Sequence, residues 1–282
     1  MESPPFASAA AHYSRPCIVY QNPSALACVT PAVDKSLQNK LGIFAHSAMD
    51  GSTYGEKVWD SKQQKYVYLL PPTPELWTRT LATRTQIVFR PDISFVLAYL
   101  DMRPGMVVIE SGTGSASMTV SLCRAVAPTG RVFTYEFNEV RATSARQEFE
   151  QLGLAQWITA EYRDVIAGGF GHSDMKELAD GIFLDLPSPW EVVKHLAETL
   201  KVGGRLCSFS PCIEQVQRMA EHLRSQGFSE VETYETLAQP MVSKRCQVPT
   251  LVGPALESVC LYGTMGISRT HTGYLTCAIR TG

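Results

Sequence analysis

The chain has 282 residues, 45% of them hydrophobic, enough for a substantial core in one large or two modest domains. Its formal net charge of −2 offers no whole-chain positive field, so any surface for nucleic acid must be local or supplied by a partner. Eight scattered cysteines without a CxxC pair argue against a disulfide scaffold and suit a reducing intracellular setting, and no apolar run reaches membrane-spanning length.

Residues 1–16, rich in Ala, Ser and Pro, predict a flexible N-terminus without a secretory apolar core. Residues 17–75 predict a small β domain, because CIVY, LACVT, LGIFAH and KYVYLL are apolar pieces separated by turn residues. PPTPELW is a stiff proline bridge into a second domain spanning 76–282. There the texture changes to alternating strands and helices. DISFVLAYL predicts a helix capped by Asp92, VVIE a strand, and ASMTVSLCRAVA a helix after a glycine turn. RVFTYEF is a second strand, VRATSARQEFEQLG a helix ended by Gly153, WITAEYRDV a third strand and ADGIFLDLPSP a fourth. EVVKHLAETLKVGG predicts a helix closed by glycines, RLCSFSP a fifth strand, and IEQVQRMAEHLRSQGF a helix stopped at Gly227. This beat predicts right-handed βαβ units and a mostly parallel α/β sheet, with VETYETL, ESVCLYGT and YLTCAIR as antiparallel strands at its edge.

ESGTGSAS stands between a strand and a helix, the context in which Gly112 and Gly114 can cradle a nucleotide. Glu136, ending the next strand, stands where an acid takes ribose hydroxyls. Two details oppose a dinucleotide: Ser117 replaces the third glycine, and Glu110 at the lip repels a pyrophosphate. S-adenosylmethionine satisfies both constraints. It has a ribose and an adenine but no phosphate, and an ammonium that Glu110 can meet directly or through water. Asp164 can accept from the adenine amine. A tight turn with solvated acids explains any one of these residues, but not five converging at the carboxyl ends of neighbouring strands. Asp185 leaves the fourth strand beside them, where a carboxylate can accept from the exocyclic amine of a base. Trp190 either stacks on a base or packs its loop. Histidine and cysteine spacings show no zinc pattern and no HExxH, so no metal site is expected.

ESGTGSAS, DLPSPW, RTQIVFRPDIS, FSPCIEQVQ and HTGYL, with HSAMDGSTYG and PPTPELW in the small domain, together resemble the catalytic subunit of tRNA adenine-N1 methyltransferases. The similarity covers most of residues 37–282, although SRPCIVYQNPSALACV lacks the family's usual Gly-Asp before the first strand. The resemblance implies a Rossmann-like class I S-adenosylmethionine-dependent methyltransferase sheet behind a small N-terminal β domain. It implies methyl transfer to N1 of the adenine at position 58 of the tRNA T loop. Cofactor contacts would come from Gln86, Glu110, Gly112, Gly114, Ser115, Ala116 (more often glycine in the family), Glu136, Asp164 and Asp185. Asp185 would be the catalytic aspartate, with Trp190, His271 and Thr272 near the target base. Arg84 and Arg90 are as readily solvated charges as phosphate contacts. FSPCIEQVQ resembles the eukaryotic catalytic type, implying a homologous non-catalytic tRNA-binding partner in a two-plus-two heterotetramer. It also implies a nuclear setting, with the cytoplasm as the alternative. Two rivals remain: a non-catalytic tRNA-binding subunit, against which the retained acids and glycine turn argue, and a methyltransferase acting on another substrate.

Overall fold

The computed structural model describes residues 8–81, 85–171, 177–239, 241–249, 256–264 and 272–281. The chain first forms β1 (Cys17–Asn22), β2 (Ala25–Val29), β3 (Ser36–Asn39), β4 (Gly42–Ala45), β5 (Lys57–Trp59) and β6 (Tyr66–Leu70). Four of these make an antiparallel sheet in the order β2-β1-β6-β5, while β3 and β4 pair as a ribbon. Strand alternation turns Val19, Val58, Val67 and Leu69 inward, against Ala11, Phe44 and Met49. Ala11 is fully buried and its N–H donates to the Ser52 carbonyl. The N-terminal segment expected to be loose is therefore tied down from residue 9 onward; residues 1–7 lie outside the described ones. β3 and β5, only 4 and 3 residues long, carry too little apolar pattern to be read from sequence.

PPTPELW does more than bridge. It enters α1 (Pro74–Thr80) with proline in the first turn, where a missing N–H costs no hydrogen bond. Trp77 joins the core of the following domain while α1 also touches β1 and β2, so this helix connects the two units.

The remaining elements are α2 (Arg90–Tyr99), β7 (Val107–Ser111), α3 (Ser117–Val126), β8 (Arg131–Glu136), α4 (Glu139–Gln151), β9 (Ile158–Tyr162), α5 (Val165–Gly168) and β10 (Ala179–Leu184). They continue with α6 (Val193–Thr199), β11 (Leu200–Ser210), α7 (Ile213–Ser225), β12 (Phe228–Tyr234), β13 (Met241–Pro249), β14 (Leu256–Thr264) and β15 (Tyr274–Arg280). Seven strands form one sheet in the order β12-β15-β11-β10-β7-β8-β9. β7 to β11 are parallel, and β15 runs antiparallel between β11 and β12. Successive residues feed opposite layers: Val108, Phe183 and Cys207 enter one cluster, and Ile109, Ile182 and Leu206 the other. Both faces are thus covered, as a parallel sheet requires. Strand order reverses between β7 and β10, which opens a crevice at their carboxyl ends.

Several expectations are corrected. YLTCAIR lies inside the sheet as β15, and ESVCLYGT pairs, among the described residues, with β13 alone, outside it. Asp92 does not cap its helix: α2 starts at Arg90, and Asp92 is buried in the first turn, accepting from the Thr236 hydroxyl. The helix expected over EVVKHLAETLKVGG opens as a short 3-10 turn and ends at Thr199, and KVGG joins β11. Gly203 at φ 78° and a register shift between Ala179 and Gly181 absorb the change of direction.

Candidate active site

The apolar run of β7 ends at Glu110 and Ser111, and the chain then turns sharply into α3. Gly112 has φ 98°, and a Cβ there would lie 2.2 Å from the Asp185 carbonyl oxygen. The Asp185 N–H donates to the Ser111 carbonyl at 2.9 Å, so the exits of β7 and β10 are clamped together. A Cβ on Gly114 would meet the Thr85 hydroxyl at 2.7 Å, and the Thr85 N–H donates to Ser115 Oγ at 3.1 Å. Ala116 stands at φ 62°, a left-handed conformation costing a residue with a Cβ about 1 kcal/mol. That explains why glycine is the easier residue there. Ala116 is buried in the core, so its side chain shapes the turn.

Over this turn lies a cavity of about 590 Å³. Glu136, Asp164 and Asp185 converge on its wall with Gly112 and Gly114, and Gln86 reaches it from the segment before α2. Phe137, Val165, Ile166 and Leu186 give it an apolar side. Glu136 is almost fully buried and held in place: Oε1 accepts from the Asn138 N–H at 2.9 Å and from Arg141 at 2.7 Å, and Oε2 from the Gly114 N–H at 3.0 Å. Burial alone would raise its pKa, but these donors, Arg141 foremost, outweigh it and hold the carboxyl below its ordinary value. Asp164 caps α5, its Oδ1 accepting from the N–H groups of Ile166 at 3.0 Å and Ala167 at 3.2 Å, while the carboxyl faces the cavity.

Asp185 differs from both. Among the described residues no hydrogen bond lowers the pKa of its carboxyl, and burial, with the Glu136 charge adding to it, pushes that pKa up to about 6. An acceptor-only group at the wall of a cavity is matched to an N–H arriving on a ligand.

Glu110 does not reach the main cavity. It is 1% exposed and borders a small void of about 20 Å³ behind the turn, together with Gln86 and Ser115. Its Oε2 accepts from the hydroxyls of Thr119 at 2.6 Å and Thr134 at 2.7 Å. Burial pushes its pKa up to about 8 against the opposing effect of those hydroxyls, which favours the protonated form over the charged one. Of the two expected contacts with an ammonium, direct or through water, this placement behind the turn favours the one through water.

Trp190 packs against the second core cluster, with the Arg218 guanidinium 5.1 Å from its ring centre, and does not line the cavity. Thr272, expected near the target base, has a buried Oγ1 without a partner among the described residues. It also lies outside the cavity lining, while His271 and Arg84 fall outside the described residues. Sequence reading missed Arg141, Arg163 and Phe137, all of which line the cavity. Arg141 sits five positions after Glu136 across a helix start, a spacing no helical or strand period would single out. Among the described residues no cluster of three His, Cys, Asp or Glu can hold a metal, and no helix is long and apolar enough to cross a membrane.

The sheet order and the cavity at its switch point define the class I S-adenosylmethionine-dependent methyltransferase fold. A crystal structure of an S-adenosylmethionine-dependent O-methyltransferase from Thermotoga maritima superposes with TM-score 0.79 at 29% identity, over 97% of this chain and 96% of that one. The tRNA (m1A58) methyltransferase TrmI from Aquifex aeolicus shares the fold, with TM-score 0.74 at 17% identity over 97% and 99% of the two chains. Residues 65–258 match the family described as the tRNA methyltransferase complex GCD14 subunit, and the chain belongs to that family. It is 41% identical over 221 residues to the tRNA (adenine(58)-N(1))-methyltransferase catalytic subunit trm61 of Schizosaccharomyces pombe, covering 76% of this chain and 60% of that protein. The corresponding subunit of Dictyostelium discoideum is 39% identical over 221 residues, covering 78% and 71%. The chain spans about three-fifths of the fission-yeast protein's length and about half of the Cryptococcus neoformans relative's.

Proposed function

We propose that this chain is the catalytic subunit of a tRNA methyltransferase that transfers a methyl group from S-adenosylmethionine to N1 of adenine 58 in the T loop. One observation carries the reading: Glu136, Asp164 and Asp185 meet around a single cavity at the strand tips, each with a different hydrogen-bonding commitment. Those commitments fit the cofactor. Glu136, already oriented by three donors, retains about one acceptor site for a ribose hydroxyl, since a carboxylate offers about four lone-pair sites. Asp164 can accept from the adenine amine, with Val165, Ile166 and Leu186 against the ring. The close approach at Gly112 keeps a cradle open that a Cβ would fill. When bound, S-adenosylmethionine supplies an electrophilic methyl group.

The chain's own residues do the rest. Adenine N1 carries a lone pair in the neutral base, so no proton needs removing before attack. The target base has to leave its pairing and stacking, at a cost of a few kcal/mol. As N1 gains a substituent, positive charge spreads to the exocyclic amine, and Asp185 accepts from that N–H. Holding the base by this contact also discriminates against guanine, which presents a carbonyl oxygen there.

The family's description as a complex subunit and the relatives' designation as catalytic subunits support a non-catalytic tRNA-binding partner. The two-plus-two stoichiometry and nuclear residence follow from the eukaryotic resemblance alone. The deciding experiment incubates the chain, with and without that partner, with unmodified tRNA and methyl-labelled cofactor, then maps the label. Label at N1 of adenine 58 is expected. Label at another atom, or none with the partner present, overturns the reading.

A further inference from the structure

One face of the small β sheet takes no part in the catalytic cavity. Alternation sends Val58, Val67 and Leu69 into its core and leaves Lys57, Trp59, Tyr66, Tyr68 and Tyr20 on the other side. Pairing places Trp59 opposite Tyr66, and Tyr68 between Lys57 and Tyr20. The rings form a continuous row: centroids are 5.1 Å apart for Trp59 and Tyr66, 5.4 Å for Tyr66 and Tyr68, and 6.5 Å for Tyr68 and Tyr20. At its open end Trp59 is 46% and Tyr66 37% exposed. Lys57 Nζ stands 4.1 Å from the centre of the Tyr66 ring and 5.9 Å from that of Trp59.

Charge on this hairpin is mostly positive. Lys57, Lys62 and Lys65 are exposed against one exposed acid, Glu56 beside Lys57, whereas Asp60 is 6% exposed. The Asp60 carboxyl accepts from the N–H groups of Lys62 at 3.3 Å, Gln64 at 2.7 Å and Lys65 at 2.8 Å. A chain of net charge −2 thus presents a local surface that is aromatic and positive.

We propose that this face is a second RNA contact, on which unpaired bases of the tRNA stack against Tyr66 and Trp59 while Lys57, Lys62 and Lys65 meet the adjoining phosphates. The tRNA identity of the ligand rests on the proposed function; the base-stacking chemistry rests on the face itself. Antiparallel sheets with exposed aromatic side chains take single-stranded bases because every base has a π-face. A protein partner fits less well, since lysine is depleted from the cores of protein interfaces, and here a lysine stands over the ring faces.

The test measures fluorescence anisotropy of a labelled unmodified tRNA transcript and of a short oligoadenylate with the full chain in complex with its partner subunit. Compared with wild type, Trp59→Ala and Tyr66→Ala should weaken binding about 5- to 100-fold, and Tyr66→Phe, which keeps the ring, should stay within about twofold. Lys57→Ala should lower the salt dependence by about one phosphate contact. S-adenosylmethionine affinity and turnover at saturating tRNA should not change. Wild-type RNA affinity in both alanine variants would overturn the proposal, as would release of the partner subunit on size exclusion, which would mark a protein interface. If wild type methylates no tRNA, the functional reading fails, and the oligoadenylate series still decides the face.

Discussion

Glu110→Gln isolates the group whose environment departs furthest from what its sequence position suggests. The wild-type carboxyl is buried with its Oε2 on two threonine hydroxyls, and its pKa is pushed from 4.5 up to about 8. Because the folded value lies above the unfolded one, the native state binds more protons, and stability falls as pH rises between those values. The gap corresponds to about 5 kcal/mol over the whole interval, of which about 2 kcal/mol falls between pH ~6 and ~8. Glutamine keeps the shape and cannot titrate. Urea unfolding of both proteins across that interval should show wild type losing about 2 kcal/mol relative to E110Q. Parallel profiles would refute the reasoning, because they would mean that Glu110 is ionised in the folded protein at neutral pH.

Gly112→Ala would place a Cβ 2.2 Å from the Asp185 carbonyl at φ 98°, and should destabilise by more than about 3 kcal/mol or abolish cofactor binding; a thermal melt with calorimetric titration reads both. Ala116→Gly, four positions further on, relieves a left-handed strain of about 1 kcal/mol while losing about 0.8 kcal/mol of methyl burial, so its melting temperature should stay close to wild type. Arg141→Ala removes a donor to Glu136 and should weaken S-adenosylmethionine binding about tenfold, more severely as pH falls, because Glu136 then protonates sooner. Unchanged affinity by calorimetry would remove Arg141 from the site.

The alternation of strands and helices from β7 to α7 was legible because burial on both faces writes long apolar strands between helices of a different period. The acids were legible for the same reason: the residue after an apolar strand lies at a sheet tip, and Glu136, Asp164 and Asp185 all do. What a strand exit does not encode is side-chain direction. Glu110 is still inside β7, paired with Phe183, and turns under α3 toward Thr119, whereas Asp185 lies beyond the end of β10 and faces the cavity. Non-local pairing was equally hidden. Nothing local in YLTCAIR says that it inserts beside β11, or in ESVCLYGT that it pairs outside the sheet, since the choice depends on which edge remains open. Ala11 seals the small core from a segment whose composition reads as a tail, a case of one apolar contact overriding a polar context.

The proposed role of an ionised Asp185 carboxyl in methyl transfer is tested most directly by single-turnover transfer to saturating tRNA as a function of pH, for wild type and Asp185→Asn. Wild-type rate should rise as pH passes about 6, where the carboxyl loses its proton and becomes a charged acceptor. The asparagine variant should be about 100-fold slower with no step in that range. A variant as fast as wild type, or one that keeps the same pH step, would contradict the role assigned to Asp185.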